Sequence, residues 1–421
     1  EDGFKAAGSG RLLDGDGDQI EGGDFFQVFT VGQLRGGTVV FSMPDFAFGP
    51  GEDAILPGSN GGIPIHVRGE TGMSRIGVVV RFDPGQLEVS GIGPGPDAPT
   101  DVVIETAQVN NGSAMLVLTS ETGFSGQGGD FISLEGKVSS GAEIGSLHLV
   151  EISNVLAQAG RENLPAIGDH GIHGVAYRGD VNGDGGYGAD DAAGILGLVI
   201  GLDSGFSANL NLDPMILGDV NDNGVVGVMD ARSVLRKVVG LDEPGLPDLP
   251  EGQGQGAGML EPGAGTSIEL GMDLQLAAGE IARTPVLLSG PESLRSAEMV
   301  LGYDPAVFDS AGINVGQGQV LEQGLIAYRV DSSSGEIRIA IASAQDSVRE
   351  GALVELSMPL RQDALPGAAL VELREATLDG REVPLRTGRE GGEEIESPAV
   401  VVHVENHPPV FDEVSDLLAA E

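Results

Sequence analysis

The sequence contains no cysteine and no tryptophan, and aromatic residues make up only 4% of its 421 positions. Without cysteine, the chain has no disulfide framework, no thiol nucleophile and no thiolate metal ligand. Because there is no tryptophan and there are only four tyrosines, the sequence is poorly supplied with flat aromatic surfaces on which sugars stack. These absences argue against a disulfide-stabilised fold and thiol catalysis, and they weaken the case for a glycosidase or a carbohydrate-binding module.

Basic residues are scarce as well. Lysine and arginine together number 22 against 64 aspartates and glutamates, which gives a formal net charge of −42. The only lysines are Lys5, Lys137 and Lys237. A chain this acidic is repelled by nucleic acid and by anionic membranes, and it attracts divalent cations. We therefore expect no nucleic-acid partner and no membrane insertion.

Long hydrophobic runs are also missing. No apolar stretch approaches the ~18 residues that a membrane-spanning helix needs. The first residues do not show a secretory leader pattern, so Glu1 is expected to begin either a mature protein or an excised fragment. Glycine is abundant, with 69 residues, and short alternating apolar runs are separated by Gly, Asp and Pro. This pattern predicts a mainly β chain, and its length allows two to four domains.

Two copies of one loop pattern stand 39 residues apart. The first runs from Gly179 to Asp191 (GDVNGDGGYGADD) and the second from Gly218 to Asp230 (GDVNDNGVVGVMD). EF-hand loops supply calcium with oxygen ligands from positions 1, 3, 5, 7 and 12, and they turn sharply at a glycine in position 6. The predicted ligands are Asp180, Asn182, Asp184, the carbonyl of Gly186 and Asp191 in the first loop, and Asp219, Asn221, Asn223, the carbonyl of Val225 and Asp230 in the second.

The other loop positions fit the same interpretation. Gly185 and Gly224 occupy position 6, and Gly188 and Gly227 stand at position 9, where a water molecule would complete the coordination. Solvent-exposed acidic turns are the alternative explanation for such acidic, glycine-rich segments. Two loops in register, each followed by a similar apolar helical segment, favour two bound calcium ions instead.

The loops differ from an ordinary EF-hand because position 12 is Asp and no helix is expected before either loop. In these features Arg178 to Asp242 resembles the dockerin family, small calcium-folded modules that bind cohesin domains. The resemblance implies that loop positions 10 and 11 contact a cohesin. These positions differ between the repeats, so the two faces would not be interchangeable: they are Ala189 and Asp190 in the first, Val228 and Met229 in the second.

A longer and weaker repeat links residues 62–92 with residues 283–313, without a gap at an offset of 221. It matches Pro64 with Pro285, Gly69 with Gly290, Asp83-Pro84 with Asp304-Pro305, and Gly91 with Gly312. A looser correspondence pairs residues 111–120 with residues 334–343. The short strands in both copies predict two antiparallel β-sandwiches, in which Asp83 and Asp304 are turn residues.

These two segments, over residues 27–177 and 264–405, resemble the cohesin and carbohydrate-binding jelly-roll superfamily, which implies sandwich domains on either side of the calcium module. The module is expected over residues 178–243 and a glycine-rich linker over 244–263. Residues 1–26 are interpreted as the tail of a preceding domain or a strand-donating segment. Residues 406–421 resemble the start of a cadherin-like or immunoglobulin-like extracellular repeat, or they donate a strand.

Two minor features complete the site predictions. Asp14, Asp16 and Asp18 have calcium-ligand spacing, but Gln19 and Phe25 replace the usual residues at positions 6 and 12, so a third site and an acidic turn remain open. His170 and His173 are expected to lie in a glycine-rich turn without a third metal ligand.

No catalytic triad, phosphate-binding loop or zinc-protease pattern is present, and we expect no enzyme. The predicted function is a non-catalytic, calcium-binding structural protein, extracellular or at the cell surface. It would assemble through cohesin/dockerin-type or strand-addition contacts with copies of itself or with cohesin- or dockerin-bearing proteins, for example as a head-to-tail fibre subunit. Two alternatives stay open: a scaffold segment that recruits secreted enzymes, and a polysaccharide-binding accessory region of a large secreted enzyme or adhesin.

Overall fold

The computed structural model describes residues 36–56, 59, 61–69, 72–249, 266–290, 293–383, 388–390, 393–395 and 399–405. The predicted terminal segments 1–26 and 406–421, the acidic residues Asp14, Asp16 and Asp18, and most of the predicted linker lie outside the described residues. The chain divides into two compact units, Glu1–Thr38 and Val39–Glu421. All elements below belong to the second unit.

Twelve strands precede the helical region in the described residues. They are β1 Val39–Ser42, β2 Phe46–Phe48, β3 Ile63–Arg68, β4 Met73–Arg81, β5 Leu87–Pro94, β6 Val103–Asn110, β7 Ser113–Phe124, β8 Gly129–Val138, β9 Leu147–Ala159, β10 Glu162–Asn163, β11 Ala166–Asp169 and β12 Gly171–Val175. They form one sheet of order β11-β1-β3-β8-β5 and a second of order β2-β12-β9-β4-β7-β6, with β10 paired to β9. The inner faces of the two sheets enclose one apolar core.

Thirteen further described strands follow the helices. They are β13 Ser267–Leu270, β14 Leu274–Ala277, β15 Ile281–Ser289, β16 Leu294–Gly302, β17 Asn314–Gln317, β18 Leu325–Asp331, β19 Glu336–Ser347, β20 Gly351–Pro359, β21 Gly367–Leu378, β22 Arg381–Glu382, β23 Gly388–Glu390, β24 Glu393–Ile395 and β25 Ala399–Glu405. The two large sheets have the orders β13-β15-β20-β17 and β14-β25-β21-β16-β19-β18. A second apolar core lies between them.

The predicted mainly β fold is confirmed, with two sandwiches of matching strand order. Pairing is mostly antiparallel, but β1–β11, β2–β12 and β14–β25 pair in parallel. The predicted turn role of the two Asp-Pro aspartates is also confirmed. Asp83 Oδ1 accepts a hydrogen bond from the N–H of Gly85, and Asp304 Oδ1 accepts one from the N–H of Ala306, each at 2.8 Å.

Alternation along each strand explains which side chains enter the cores. On β19, Ile337, Ile339 and Ile341 point into the second core, whereas Ala340 and Ala342 point out of the sandwich. Because successive strand residues face opposite sides of a sheet, the outward residues form a separate surface.

The segment between the sandwiches is helical: α1 Ala189–Val199, α2 Pro214–Gly218 and α3 Val228–Val238, with a 3₁₀ turn at Ser207–Asn209. The expectation that no helix precedes either loop is wrong for the second loop. Helix α2 forms there because Asp213 caps it through the N–H of Met215, and Pro214 is pre-set for the first helical turn.

The first residues of the predicted linker are ordered against the helices. Leu246 is buried with residues of α1 and α3, and Lys237 Nζ lies 2.6 Å from Asp248 Oδ1. The side chain of Leu246 therefore extends the apolar core of the helical segment beyond residue 243.

Candidate functional site

Each of the two loops is closed by its first and twelfth residues. In loop 1, Asp180 accepts hydrogen bonds from the N–H groups of Gly183 (2.8 Å) and Gly185 (3.0 Å). Asp191, in the first turn of α1, accepts from the N–H groups of Val181 (2.9 Å), Asn182 (3.1 Å) and Gly188 (2.8 Å). Both carboxylates therefore face the interior of the loop.

Loop 2 repeats this arrangement. Asp219 accepts from the N–H groups of Asn223 (3.1 Å) and Gly224 (2.7 Å). Asp230, in the first turn of α3, accepts from the N–H groups of Asn221 (3.2 Å) and Gly227 (2.8 Å) and from Asn221 Nδ2 (2.6 Å). The structure thus brings the terminal residues of both predicted ligand sets together.

Hydrogen bonds between residues two apart in sequence fix the middle positions of each loop. Asp184 Oδ1 accepts from the N–H of Gly186, and Asn223 Oδ1 accepts from the N–H of Val225. Asn182 Oδ1 accepts from the N–H of Asp184 at 2.9 Å. The preceding glycines, Gly185 and Gly224, have φ values of +85° and +86°, which a residue with a side chain rarely adopts.

Arg178 joins the two loops. Its guanidinium Nη2 donates to the carbonyl of Asp219 and lies 2.6 Å from Asp222 Oδ1. The N–H of Gly179 donates to the carbonyl of Leu217 in α2 at 2.9 Å. The two loops and three helices therefore form one unit, residues 178–246, which is called the calcium module below after the ions that its loops are predicted to bind.

Burial is the dominant electrostatic feature of the loop carboxylates. The side chains of Asp180, Asp191 and Asp230 are 0% exposed and Asp219 is 7% exposed. Burial, followed by the charge of Asp184, raises the pKa of Asp180 to about 6. Burial, followed by Asp190 and Asp180, holds the pKa of Asp191 well above its usual range. Among the described residues, no lysine or arginine forms an ion pair with these four carboxylates.

The donor chemistry fits a hard divalent cation. Each loop contains carboxylate, amide and backbone oxygens within one turn, and oxygen atoms are the ligands that calcium takes. Within the described part of the chain, no three His, Cys, Asp or Glu side chains converge on a metal position by themselves. A calcium site in either loop would therefore depend on the asparagine and carbonyl oxygens as well as on the aspartates.

The calcium module packs against the second sandwich. Helices α1 and α3 lie across the outer face of β16, β18 and β19. The outward residues Ala327, Ala340 and Ala342 are buried in one apolar cluster with Ile195 and Leu196 of α1. Because alanine side chains are small, the helices approach the sheet closely.

Three polar contacts border this apolar patch. The N–H of Ala189 donates to Glu298 Oε1 at 2.6 Å, and Arg295 Nη2 donates to the carbonyl of Ala193 at 2.7 Å. Arg329 Nη1 donates to the carbonyl of Gly240 at 3.0 Å. These contacts anchor both ends of the helical face to the sheet.

Glu298 stands beside the acidic first loop. Burial, partly offset by the hydrogen bond from Ala189 and reinforced by the nearby charges of Asp190 and Asp184, raises the pKa of its carboxyl to about 7. Loop positions 10 and 11 of the first repeat therefore face the second sandwich, whereas Val228 and Met229 of the second repeat are 47% and 57% exposed.

The comparison with protein families concerns the first sandwich. Residues 50–167 match the family model of the cohesin domain. No curated protein matches the chain.

Several solved cohesin structures are similar to parts of the chain. The sixth cohesin of scaffoldin B from Acetivibrio cellulolyticus, solved with a variant Cel5 dockerin, is 20% identical over 33% of this chain and 99% of its own, with a TM-score of 0.29. A non-cellulosomal cohesin from Archaeoglobus fulgidus is 16% identical over 34% and 92%, with a TM-score of 0.25. A type II cohesin dyad of the ScaA scaffoldin from Acetivibrio cellulolyticus is 10% identical over 89% and 100%, with a TM-score of 0.26.

The cohesin-like first sandwich has an outer sheet face equivalent to the one covered in the second. Gly77 and Val79 of β4 and Met115 and Val117 of β7 point outward from it. Gly77 pairs with Val117 in the same way that Glu298 pairs with Ala340. In the described part of the chain, α1 and α3 pack on β16, β18 and β19 and not on β4, β6 and β7.

The first sandwich also contains a histidine pair, one of them fully buried, that the sequence did not reveal. The expectation that His173 lies in a turn is wrong, because it belongs to β12 and is 0% exposed. Its Nδ1 lies 3.1 Å from His148 Nε2 on β9, and its ring stacks on Phe46 with centroids 4.8 Å apart. Burial, followed by the charge of His148, lowers the pKa of His173 to about 3. His170 instead accepts a hydrogen bond from the N–H of Ile152 through Nδ1.

No helix in the described part of the chain is long and apolar enough to cross a membrane.

Proposed function

We propose that the chain is a non-catalytic, calcium-binding structural protein that works outside the cell and assembles through cohesin/dockerin-type contacts. The observation that carries this proposal is a calcium-loop unit with four buried carboxylates, packed on the sheet of a sandwich. The chain thus contains both a module and a sheet that accepts such a module.

Two calcium ions would neutralise the buried carboxylates. Asp180, Asn182, Asp184, the carbonyl of Gly186 and Asp191 would hold one ion, and Asp219, Asn221, Asn223, the carbonyl of Val225 and Asp230 the other. Without a cation, the loop carboxylates repel one another in a poorly solvated site. Calcium binding is therefore coupled to folding of the module.

Isothermal titration calorimetry of the full chain tests the ligands. The expected result is two calcium ions per chain, and one ion for either Asp191→Ala or Asp230→Ala, because each change removes the carboxylate that closes a loop. Asp242→Ala is the control, since Asp242 is exposed and lies after α3. Undiminished binding of two ions by both loop variants would contradict the assignment.

Assembly would use the outer face of the first sandwich. This face has the strand order and outward positions of the face that accepts the calcium module in the second sandwich. We therefore assign it to a calcium module of another molecule, either a second copy of this chain or another module-bearing protein. A second copy gives a head-to-tail fibre, because a contact between two different surfaces repeats without closing.

Sedimentation velocity of the full chain in saturating calcium tests this contact. Oligomers are expected to form as concentration rises, and Val117→Arg should reduce their fraction, because a cation and a long side chain would be placed in the middle of the face. Arg161→Glu is the control, since Arg161 is exposed in the β9–β10 turn. A monomer at all concentrations, both for the unmodified chain and for Ala340→Arg, which is expected to release the module from the second sandwich, would favour the second candidate, a scaffold that recruits other secreted proteins through the same face.

A further inference from the structure

The structure shows the calcium module and the second sandwich already in contact within one chain. The contact combines an apolar centre, formed by Ala327, Ala340 and Ala342 under α1 and α3, with hydrogen bonds from Arg295 to a carbonyl of α1 and from Arg329 to the carbonyl of Gly240, just after α3. Ala340 and Ala342 are each 0% exposed although they point out of their own sandwich. They are buried in one cluster with residues of α1 and α3, so this sheet face has no room for a second module.

We propose that this contact is an intramolecular cap that keeps the second sandwich closed to partners and withholds the module from other molecules. The inference rests on the proposed function only where it names a second copy as the competing partner. A module tethered to its own sheet has an effective concentration near the millimolar range, so the internal contact outcompetes a free module at ordinary concentrations.

The residues of the two sheets explain why the module lies on the second sandwich. Glu298 and Ala340 stand at the positions of Gly77 and Val117 in the first sandwich. Glu298 accepts from the first free N–H of α1, and Ala340 leaves space for the helix. The first sandwich has glycine at position 77 and the larger valine at position 117, so a module bound there would lack the hydrogen bond to Glu298 and would be held less tightly than the internal contact.

Distance measurement on the full chain tests the cap directly. Because the chain has no native cysteine, spin labels can be placed uniquely at Leu202→Cys, after α1, and Leu365→Cys, in the second sandwich. Both residues are exposed, at 61% and 81%. In saturating calcium, pulsed electron spin resonance should give one narrow distance distribution. A broad distribution would overturn the proposal.

Matched substitutions identify the contact. Ala340→Arg should broaden and lengthen the distribution, whereas Val117→Arg, at the equivalent position of the first sandwich, should leave it unchanged. Arg295→Glu, at a half-buried site, provides a second variant if Ala340→Arg does not fold. Retention of the narrow distribution in folded Ala340→Arg and Arg295→Glu proteins would contradict the cap.

Self-association separates this inference from the proposed function. Opening the cap should strengthen association by about tenfold or more, because the binding-competent fraction of the chain rises. Adding Val117→Arg to Ala340→Arg should remove this gain in association. A broadened distance distribution without new oligomers would support the cap and reject the second copy as partner.

Discussion

At the scale of single residues, the pair formed by His148 and His173 has no hydrogen-bond acceptor within the described residues that could compensate a positive charge. His148 and His173 come together because β9 and β12 pair with these two residues opposite each other. In the described structure, His148 Nδ1 and His173 Nε2 are buried without a hydrogen-bond partner. Protonating either ring would therefore place a charge in a site that offers no compensation.

The histidine pair predicts acid sensitivity of the first sandwich. The folded-state pKa of His173 is about 3 and that of His148 is also lowered, whereas an unfolded histidine titrates near 6.5. The unfolded state thus binds more protons in this interval, and stability should fall as the pH drops from about 6.5 towards 3. Calorimetric melting of His173→Gln should show a smaller pH dependence than the unmodified chain, whatever its effect at neutral pH.

His403→Gln provides the comparison for this measurement, since His403 is an exposed residue of β25. Equal pH dependence of melting in His173→Gln and the unmodified chain would show that the histidine pair does not control the acid response.

At the scale of elements, the two repeats of the calcium module have different roles. The start of α1 is held by Glu298, and Arg295 donates to a carbonyl of the same helix. The corresponding start of α3 exposes Val228 and Met229. A negative side chain is favourable at a helix N-terminus, but here it also meets the acidic residues of loop 1. Calcium in that loop would relieve this repulsion and strengthen the contact with the sheet.

Helix α2 offers a test of how the two loops are joined. Asp213 caps this five-residue helix, and Leu217 at its end is buried in the module and accepts from Gly179. Asp213→Ala should therefore lower the unfolding free energy of the module by about 1 kcal/mol, while Asp213→Asn should retain most of it. Urea denaturation in saturating calcium measures both. Equal destabilisation by the two variants would show that the cap hydrogen bond is not the cause.

At the scale of the whole molecule, the net negative charge and bound calcium would have opposite effects on association between copies of the chain. A net charge of −42 keeps copies of the chain apart at low ionic strength. Two calcium ions would reduce that charge locally, at the module that carries the helical contact face. Association between copies is therefore expected to depend on calcium through the fold of the module and through its charge.

The sequence by itself determined the local structure. Several features involve only residues that are neighbours in sequence, so the spacing of the residues predicts them. They are the position-6 glycines with positive φ, the aspartates that accept from nearby N–H groups, and the turns at Asp83 and Asp304. Alternating apolar runs likewise predicted two sandwiches, because strand residues face opposite sides. Calcium in the loops remains a prediction from the same local pattern.

Tertiary structure alone decided which sandwich carries the module and which histidines meet. Glu298 and Ala189 are 109 residues apart in sequence, and His148 and His173 are 25 apart. Both sheets have equivalent outer positions, so the hydrophobic pattern of the sequence does not show which sheet the helices contact. Small side chains, the partly buried carboxylate of Glu298 and the strand register determine which sheet the helices contact, and these features exist only once the sheets have formed.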